Sequence, residues 1–261
     1  MRAALAALAP LNRDRRRIMA ERIERRRERA LHRRRLAFCE PDALIPRTDL
    51  RVRDAHEGRF TGSEIPADLR RQWIQGTGPA TKPRAATESG LRNMAYAMLS
   101  GADGWMFDGE DALGQTETMS LDNQRNLKLA LAKEPIFLRV AEQVAAEMNG
   151  WARDFFGRPI IDDWRKQLDF TTRIFRPRGL HLDDRHVRES DGTGFSASIV
   201  DLVLYVVNNH ERLRAEGWSI VLYLPKIQTA EEAALWKDMF VALERHLGLA
   251  VGTIKVYVLV E

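Results

Sequence analysis

The sequence predicts an α/β fold built on a parallel sheet, and three features carry that expectation. From Leu91 onward, segments of strand character alternate with helical segments of more than ten residues, the pattern of repeated βαβ units. Two strand segments, 220–224 and 254–260, are largely apolar from end to end, as expected when both faces of a strand are covered. Each strand segment closes on polar residues, namely Asp108, Glu110 and Asp111, then Arg176 and Arg178, then Lys226, then Glu261. Carboxyl ends of parallel strands are where α/β barrels and open α/β sheets gather their functional groups. Spacing alone therefore points to an α/β enzyme with a mixed acid and arginine site.

Residues 11–38 read as a long helix, because Leu11, Ile18, Ile23, Ala30, Leu31 and Phe38 recur at roughly helical spacing and Pro41 ends the run. Twelve arginines against four acids lie between Arg13 and Arg35, a local balance of +8 that leaves −4 for the rest of the chain against its total of +4. Arginine clusters can neutralise phosphates. Here the interspersed acids make i,i+4 pairs and no aromatic platform accompanies them, which favours a solvated helix with one docked stripe over a nucleic-acid surface. The opening ten residues carry one basic residue and a short Ala/Leu run. The run leads straight into the arginine helix, so a cytoplasmic helix is expected rather than a leader. A single cysteine, Cys39, excludes an intramolecular disulfide, and no segment approaches the roughly 20 apolar residues of a membrane span.

Residues 41–90 hold five prolines and five glycines and read as an irregular wrapping segment. Beyond it, the expected order is helix 91–99, a short apolar strand within 104–108, helices 123–131 and 136–148, and strand 171–176. A Gly/His/Asp loop, helix 196–212, strand 218–224, helix 230–247 and strand 253–260 follow. The division expected is a helical and wrapping segment over 1–90, then the strand-and-helix unit over 91–261.

Several blocks, in order, carry a resemblance to a known family. They begin with Leu11-Asn12-Arg13-Asp14-Arg15-Arg16-Arg17-Ile18-Met19, then Thr77-Gly78-Pro79, then Ser100-Gly101-Ala102-Asp103-Gly104-Trp105-Met106-Phe107-Asp108-Gly109-Glu110-Asp111-Ala112. Arg176-Pro177-Arg178-Gly179-Leu180-His181-Leu182 is the most specific. After it come Phe195-Ser196-Ala197-Ser198-Ile199-Val200-Asp201, Tyr223-Leu224-Pro225-Lys226, Gly252-Thr253-Ile254-Lys255 and Leu259-Val260-Glu261. The chain resembles the first part of an A-type malate synthase, of a divergent branch: residues 113–119 depart from the family's usual Asn-Ser-Pro-Thr-Trp.

That resemblance implies a (β/α)8 TIM-type barrel, incomplete in this chain, with the N-terminal helical segment outside it. It also implies a magnesium-dependent condensation of acetyl-CoA with glyoxylate to give malate and CoA, as in the glyoxylate bypass. Arg176 matches the arginine that grips the enolate and aldehyde oxygens, and a guanidinium with fixed donors suits that role. Asp108 and Glu110 match acids that face the metal's water shell and Arg176. Glu261 matches a direct Mg2+ ligand. Arg178 reads as supporting, and His181 and His186 as loop structure. Lys226 reads equally as reaching an acid at the barrel mouth or as a strand-end salt bridge. The family's catalytic base and its second metal-binding aspartate match nothing here, so the chain is expected to be part of a longer enzyme and inactive alone. The other readings are a non-catalytic remnant or binding domain, and a related acyl-CoA lyase acting on another 2-oxo acid. No CoA-binding residues and no oligomeric state follow from the sequence.

Overall fold

A computed structural model describes residues 1–76, 82–111 and 118–259. Helix α1 (Arg2–Leu31) is followed by the short α2 (Val52–His56) and a 3-10 turn at Ala67–Leu69. The βα succession is then β1 (Trp73–Gly76), α3 (Thr87–Met98), β2 (Gly104–Asp108), α4 (Met119–Leu131), α5 (Pro135–Phe156), α6 (Trp164–Phe170) and β3 (Thr172–Arg176). A two-stranded ribbon, β4 (Asp183–Arg188) with β5 (Gly194–Ser196), precedes α7 (Ala197–Ala215), β6 (Ile220–Leu224), α8 (Ala230–His246) and β7 (Ile254–Val258).

The main sheet runs β1-β2-β3-β6-β7, and every neighbouring pair is parallel. The α/β class and the four strands expected from the sequence are therefore present in one sheet. The side-chain period of two sorts each strand between two layers. On one face Leu69, Met106, Ile174 and Val221 form a small core closed by Trp73, Tyr223 and Tyr257. On the other, Trp105, Phe107, Phe175, Leu222 and Leu224 join the large core beneath the helices.

The small core shows how strongly the sheet is rolled. Trp73 lies on one edge strand and Tyr257 on the other, yet their ring centroids are 5.6 Å apart. Five flat strands would separate the edges by about 19 Å, four spacings of roughly 4.8 Å. The Tyr257 hydroxyl also donates to the Leu69 carbonyl at 2.6 Å. The sheet is an arc around an inner core, the arrangement of a (β/α) barrel wall.

Several helices show why their sequences fold locally. Helix α5 begins with Pro135 in its first turn and ends on Gly157 at φ +70°, the expected asymmetry of start and stop. Its Phe137, Val140, Ala141, Val144 and Ala145 form one buried stripe. Helix α8 is capped by Thr229, whose side chain accepts from the Glu232 amide at 3.3 Å.

Three expectations are corrected. Helix α1 starts at Arg2 and stops at Leu31, so residues 32–38 are not helical, and its buried residues all lie between Ala4 and Met19. Strand β1 lies inside the segment read as wrapping; it has only four residues and no fully buried side chain, so no apolar run announced it. The β4–β5 ribbon lies in the stretch read as a loop, and helix α6 lies between the expected helix 136–148 and strand 171–176, where no element was assigned. Helix α6 buries only Leu168, and β4 is polar along its length.

Candidate active site at the carboxyl ends of the strands

Parallel pairing brings the carboxyl ends of β2 and β3 together, and Asp108 is the direct register partner of Arg176. Both side chains are buried, and the Arg176 Nη1 to Asp108 Oδ2 distance is 3.2 Å. Arg176 Nη2 reaches Asp111 Oδ2 at 2.7 Å. Its Nε is buried with no hydrogen-bond partner among the described residues.

The loop after β2 is folded around Asp108. Its Oδ1 accepts from the backbone amides of Glu110 at 2.9 Å and Asp111 at 3.0 Å, an Asx-type turn. Its Oδ2 also accepts from Gln75 Nε2, at the end of β1, at 2.8 Å. Gly109 is required here: its amide donates to the Arg176 carbonyl at 2.9 Å, and a Cβ would come within 2.7 Å of that same oxygen. The turn aims Glu110 across to the next loop, where Glu110 Oε2 accepts from the Gly179 amide at 2.5 Å.

Lys226, just past β6, completes the cluster. Its Nζ lies 3.0 Å from Glu110 Oε1 and 2.8 Å from Asp111 Oδ1, and His181 Nε2 is 3.7 Å from Glu110 Oε1. Hydrogen bonding to Lys226, with Arg176 adding its charge, holds the Asp111 carboxyl below its ordinary range. Burial works to lower the Lys226 ammonium, but its bonds to Asp111 and Glu110 outweigh that and raise it. Burial lowers the His181 imidazole, with Lys226, Arg22 and Arg15 acting in the same direction against Glu110. Three carboxylates thus face two fixed cations, Arg176 and Lys226, a formal balance of −1.

The structure brings Arg176, Asp108 and Glu110 together at the sheet's carboxyl end. Glu261, and the blocks around Thr77-Gly78-Pro79 and 113–117, lie outside the described residues. Arg178 faces elsewhere: it is buried against Asp201 and Asp184, with Nη2 at 2.7 Å from each. Burial works against its charge, and the two carboxylates more than offset that and raise its pKa. Of the two readings of Lys226, it reaches the acids. Asp111, which makes the shorter of Arg176's two ion pairs, is among the strand-end acids named from the sequence but carries no role there, and Gln75 is not among the residues named. Asp111 was visible as the third acid of its cluster; Gln75 had no local signal.

Among the described residues no group of three His, Cys, Asp or Glu side chains could hold a metal ion. The oxygens of Asp108 and Glu110 already meet backbone amides, Gln75, Arg176 and Lys226. Glu110 Oε1, with Lys226 Nζ at 3.0 Å, has no hydrogen-bond partner among the described residues. The unpartnered Arg176 Nε fits an anionic or carbonyl oxygen from a ligand.

A family model for the malate synthase TIM barrel domain matches residues 172–261. The chain is 34% identical over 202 residues to a bifunctional glyoxylate cycle protein of Caenorhabditis elegans, covering 77% of this chain and 18% of that protein. It is 33% identical over 205 residues to a malate synthase of Myxococcus xanthus, covering 78% and 32%. Across its whole length it is 31% identical to a malate synthase of Oryza sativa, 41% of which is covered. The chain thus spans less than half the length of these relatives.

Proposed function

This chain belongs to the malate synthase family, and on that premise we propose that its sheet end forms part of a site condensing acetyl-CoA with glyoxylate to malate and CoA. The observation that carries the reading is the Arg176 guanidinium. It is buried, oriented by Asp108 and Asp111, and left with one donor free. In this role Arg176 binds the oxygen on which negative charge grows as the acetyl group enolises and the carbonyl is attacked. A donor already fixed and shielded from water stabilises that charge without reorganising. Asp108 and Asp111 keep the fork aligned, while Glu110 and Lys226 hold the loops after β2, β3 and β6 in one arrangement.

Magnesium enters the proposal through the family, with Glu261 as the matched direct ligand and Asp108 and Glu110 in contact through water. A bound Mg2+ would polarise the 2-oxo acid's carbonyl as a Lewis acid. The proposal also takes the protein as cytoplasmic, acting on small molecules rather than nucleic acid or membrane. None of the described helices is long and apolar enough to cross a membrane. Residues 1–90 are proposed as an outer segment from which β1 alone enters the sheet.

The test is calorimetric binding of glyoxylate with Mg2+ present, alongside an assay of thiol release from acetyl-CoA. Glyoxylate binding that vanishes in Arg176→Ala supports the assignment. Binding of equal strength in that variant overturns it.

A further inference from the structure

We propose that Arg22, on helix α1, is a positioning residue that sets the Lys226 ammonium in the site. Arg22 Nη1 donates to the Lys226 carbonyl oxygen at 3.1 Å and lies 3.4 Å from Glu232 Oε2. Glu232 has no exposed surface. The same Glu232 oxygen accepts from the Gln228 amide at 2.9 Å. One guanidinium nitrogen therefore bridges the carbonyl of Lys226 and the carboxylate that fixes the loop two residues later. Arg25, one turn on along α1, stands 3.8 Å from the other Glu232 oxygen.

The loop needs such a hold. Lys226 adopts a left-handed backbone with φ +54°, which non-glycine residues rarely occupy unless their surroundings impose it. From that conformation its side chain turns into the site to meet Glu110 and Asp111. A relaxed backbone would carry the ammonium away from both acids.

Arg22 is also not alone on its helix face. Asn12 Oδ1 accepts from the Ser196 amide at 2.9 Å, and Arg15 Nε donates to the Leu180 carbonyl. Residues 12, 15, 19 and 22 follow one helical stripe, so a single face of α1 holds the loops after both β3 and β6. Arg15 secures the loop carrying Gly179 and His181, and Arg22 secures the one carrying Lys226.

The inference rests on reading Lys226 as part of the site, but its test uses no substrate, so the outcome is independent of whether the protein condenses acetyl-CoA. Trace acetylation with acetic anhydride, read by peptide mass spectrometry, compares Lys226 with the exposed Lys166 and Lys237. Arg22→Ala is expected to raise Lys226 labelling several-fold over those two references. If Arg22 served only to neutralise buried Glu232, adding Glu232→Gln would return labelling to the wild-type level along with stability. We expect Lys226 labelling to stay raised in the Arg22→Ala/Glu232→Gln double variant, which also carries the test where the single variant fails to fold. Wild-type labelling of Lys226 in either folded variant overturns the proposal.

Discussion

Arg176 and Asp108 are 68 positions apart in sequence yet lie side by side, 3.2 Å between Nη1 and Oδ2, because they are register partners on adjacent parallel strands. Their approach is set by the ladder rather than by flexible loops, which is how a sheet end gives a reacting group a fixed position. What the loops contribute is the second carboxylate, Asp111, and the cross-brace from Lys226.

Removing the guanidinium should therefore be costly. Arg176→Ala leaves buried Asp108 without its cation, and breaking one side of a buried pair typically costs about 3–5 kcal/mol. Urea unfolding should show a loss of that order. Arg176→Lys restores charge but not the fork, so it should recover part of the stability without recovering glyoxylate binding. A lysine variant that binds glyoxylate like the wild type would show that charge alone is enough.

The Asp111 pair predicts a pH signature. A carboxyl whose folded-state pKa is depressed contributes stability above its unfolded pKa, and that contribution is lost as pH falls through the folded value. Asp111 is held low, first by Lys226 and then by Arg176. Asp111→Asn should thus lower the melting temperature at pH 7, with the gap from wild type closing as pH drops below the ordinary carboxylate range. A gap that stays constant down to the acid limit would mean the ion pairs do not contribute. The side chain is about half exposed, at 48%, so the effect should be small and should shrink in salt.

How far these features were legible in the sequence depended on the distance over which each signal acts. Strand β6 is apolar throughout and β7 is apolar but for Lys255, while β2 and β3 hold the apolar centres Trp105-Met106-Phe107 and Ile174-Phe175 and end on Asp108 and Arg176, so local pattern was enough. Strand β1 was illegible because Trp73 and Gly76 are only partly covered and Ile74 and Gln75 exposed; what makes it a strand is its pairing with β2. The arginines of α1 look alike in sequence, yet Arg15 is buried at 4% exposure while Arg17 points outward to Glu21. Helical phase separates the stripe at 12, 15 and 22 from the rest. Their partners at Leu180, Ser196 and Lys226 lie 165 or more positions away, beyond any local pattern.

The rolled sheet makes a separate prediction. Tyr257→Phe removes the hydroxyl that donates to Leu69 and should cost about 1 kcal/mol in urea unfolding. Tyr257→Ala also strips the ring from Trp73 and should cost about 3 kcal/mol or more. If the edges did not meet across the inner core, both variants would be close to neutral, as expected for an exposed edge strand.

The last prediction concerns the other arginine of the Arg-Pro-Arg-Gly block. Arg178 sits at 4% exposure between Asp201 on α7 and Asp184 on β4. Asp201 takes both its Nε and Nη2, at 2.9 and 2.7 Å, and its backbone amide at 2.9 Å. Asp184 in turn accepts from the amides of His186 and Val187 at 2.7 and 2.9 Å, so the triad ties the ribbon to the start of α7. Buried ion pairs contribute little net stability, because desolvation offsets attraction, but losing one partner strands the other charge. Asp201→Leu should accordingly destabilise the fold by about 3–5 kcal/mol, and Arg178→Met should do so comparably by leaving two acids unpaired. The double variant Arg178→Met/Asp201→Leu should be less destabilised than the sum of the singles, since only Asp184 then lacks its partner and its backbone bonds remain. Strict additivity of the two losses in urea unfolding would show that the residues do not act as a unit. Glyoxylate binding separates the two arginines: it should survive in any folded Arg178 variant, because Arg178 faces the α7 junction while Arg176 faces the acids of the candidate site.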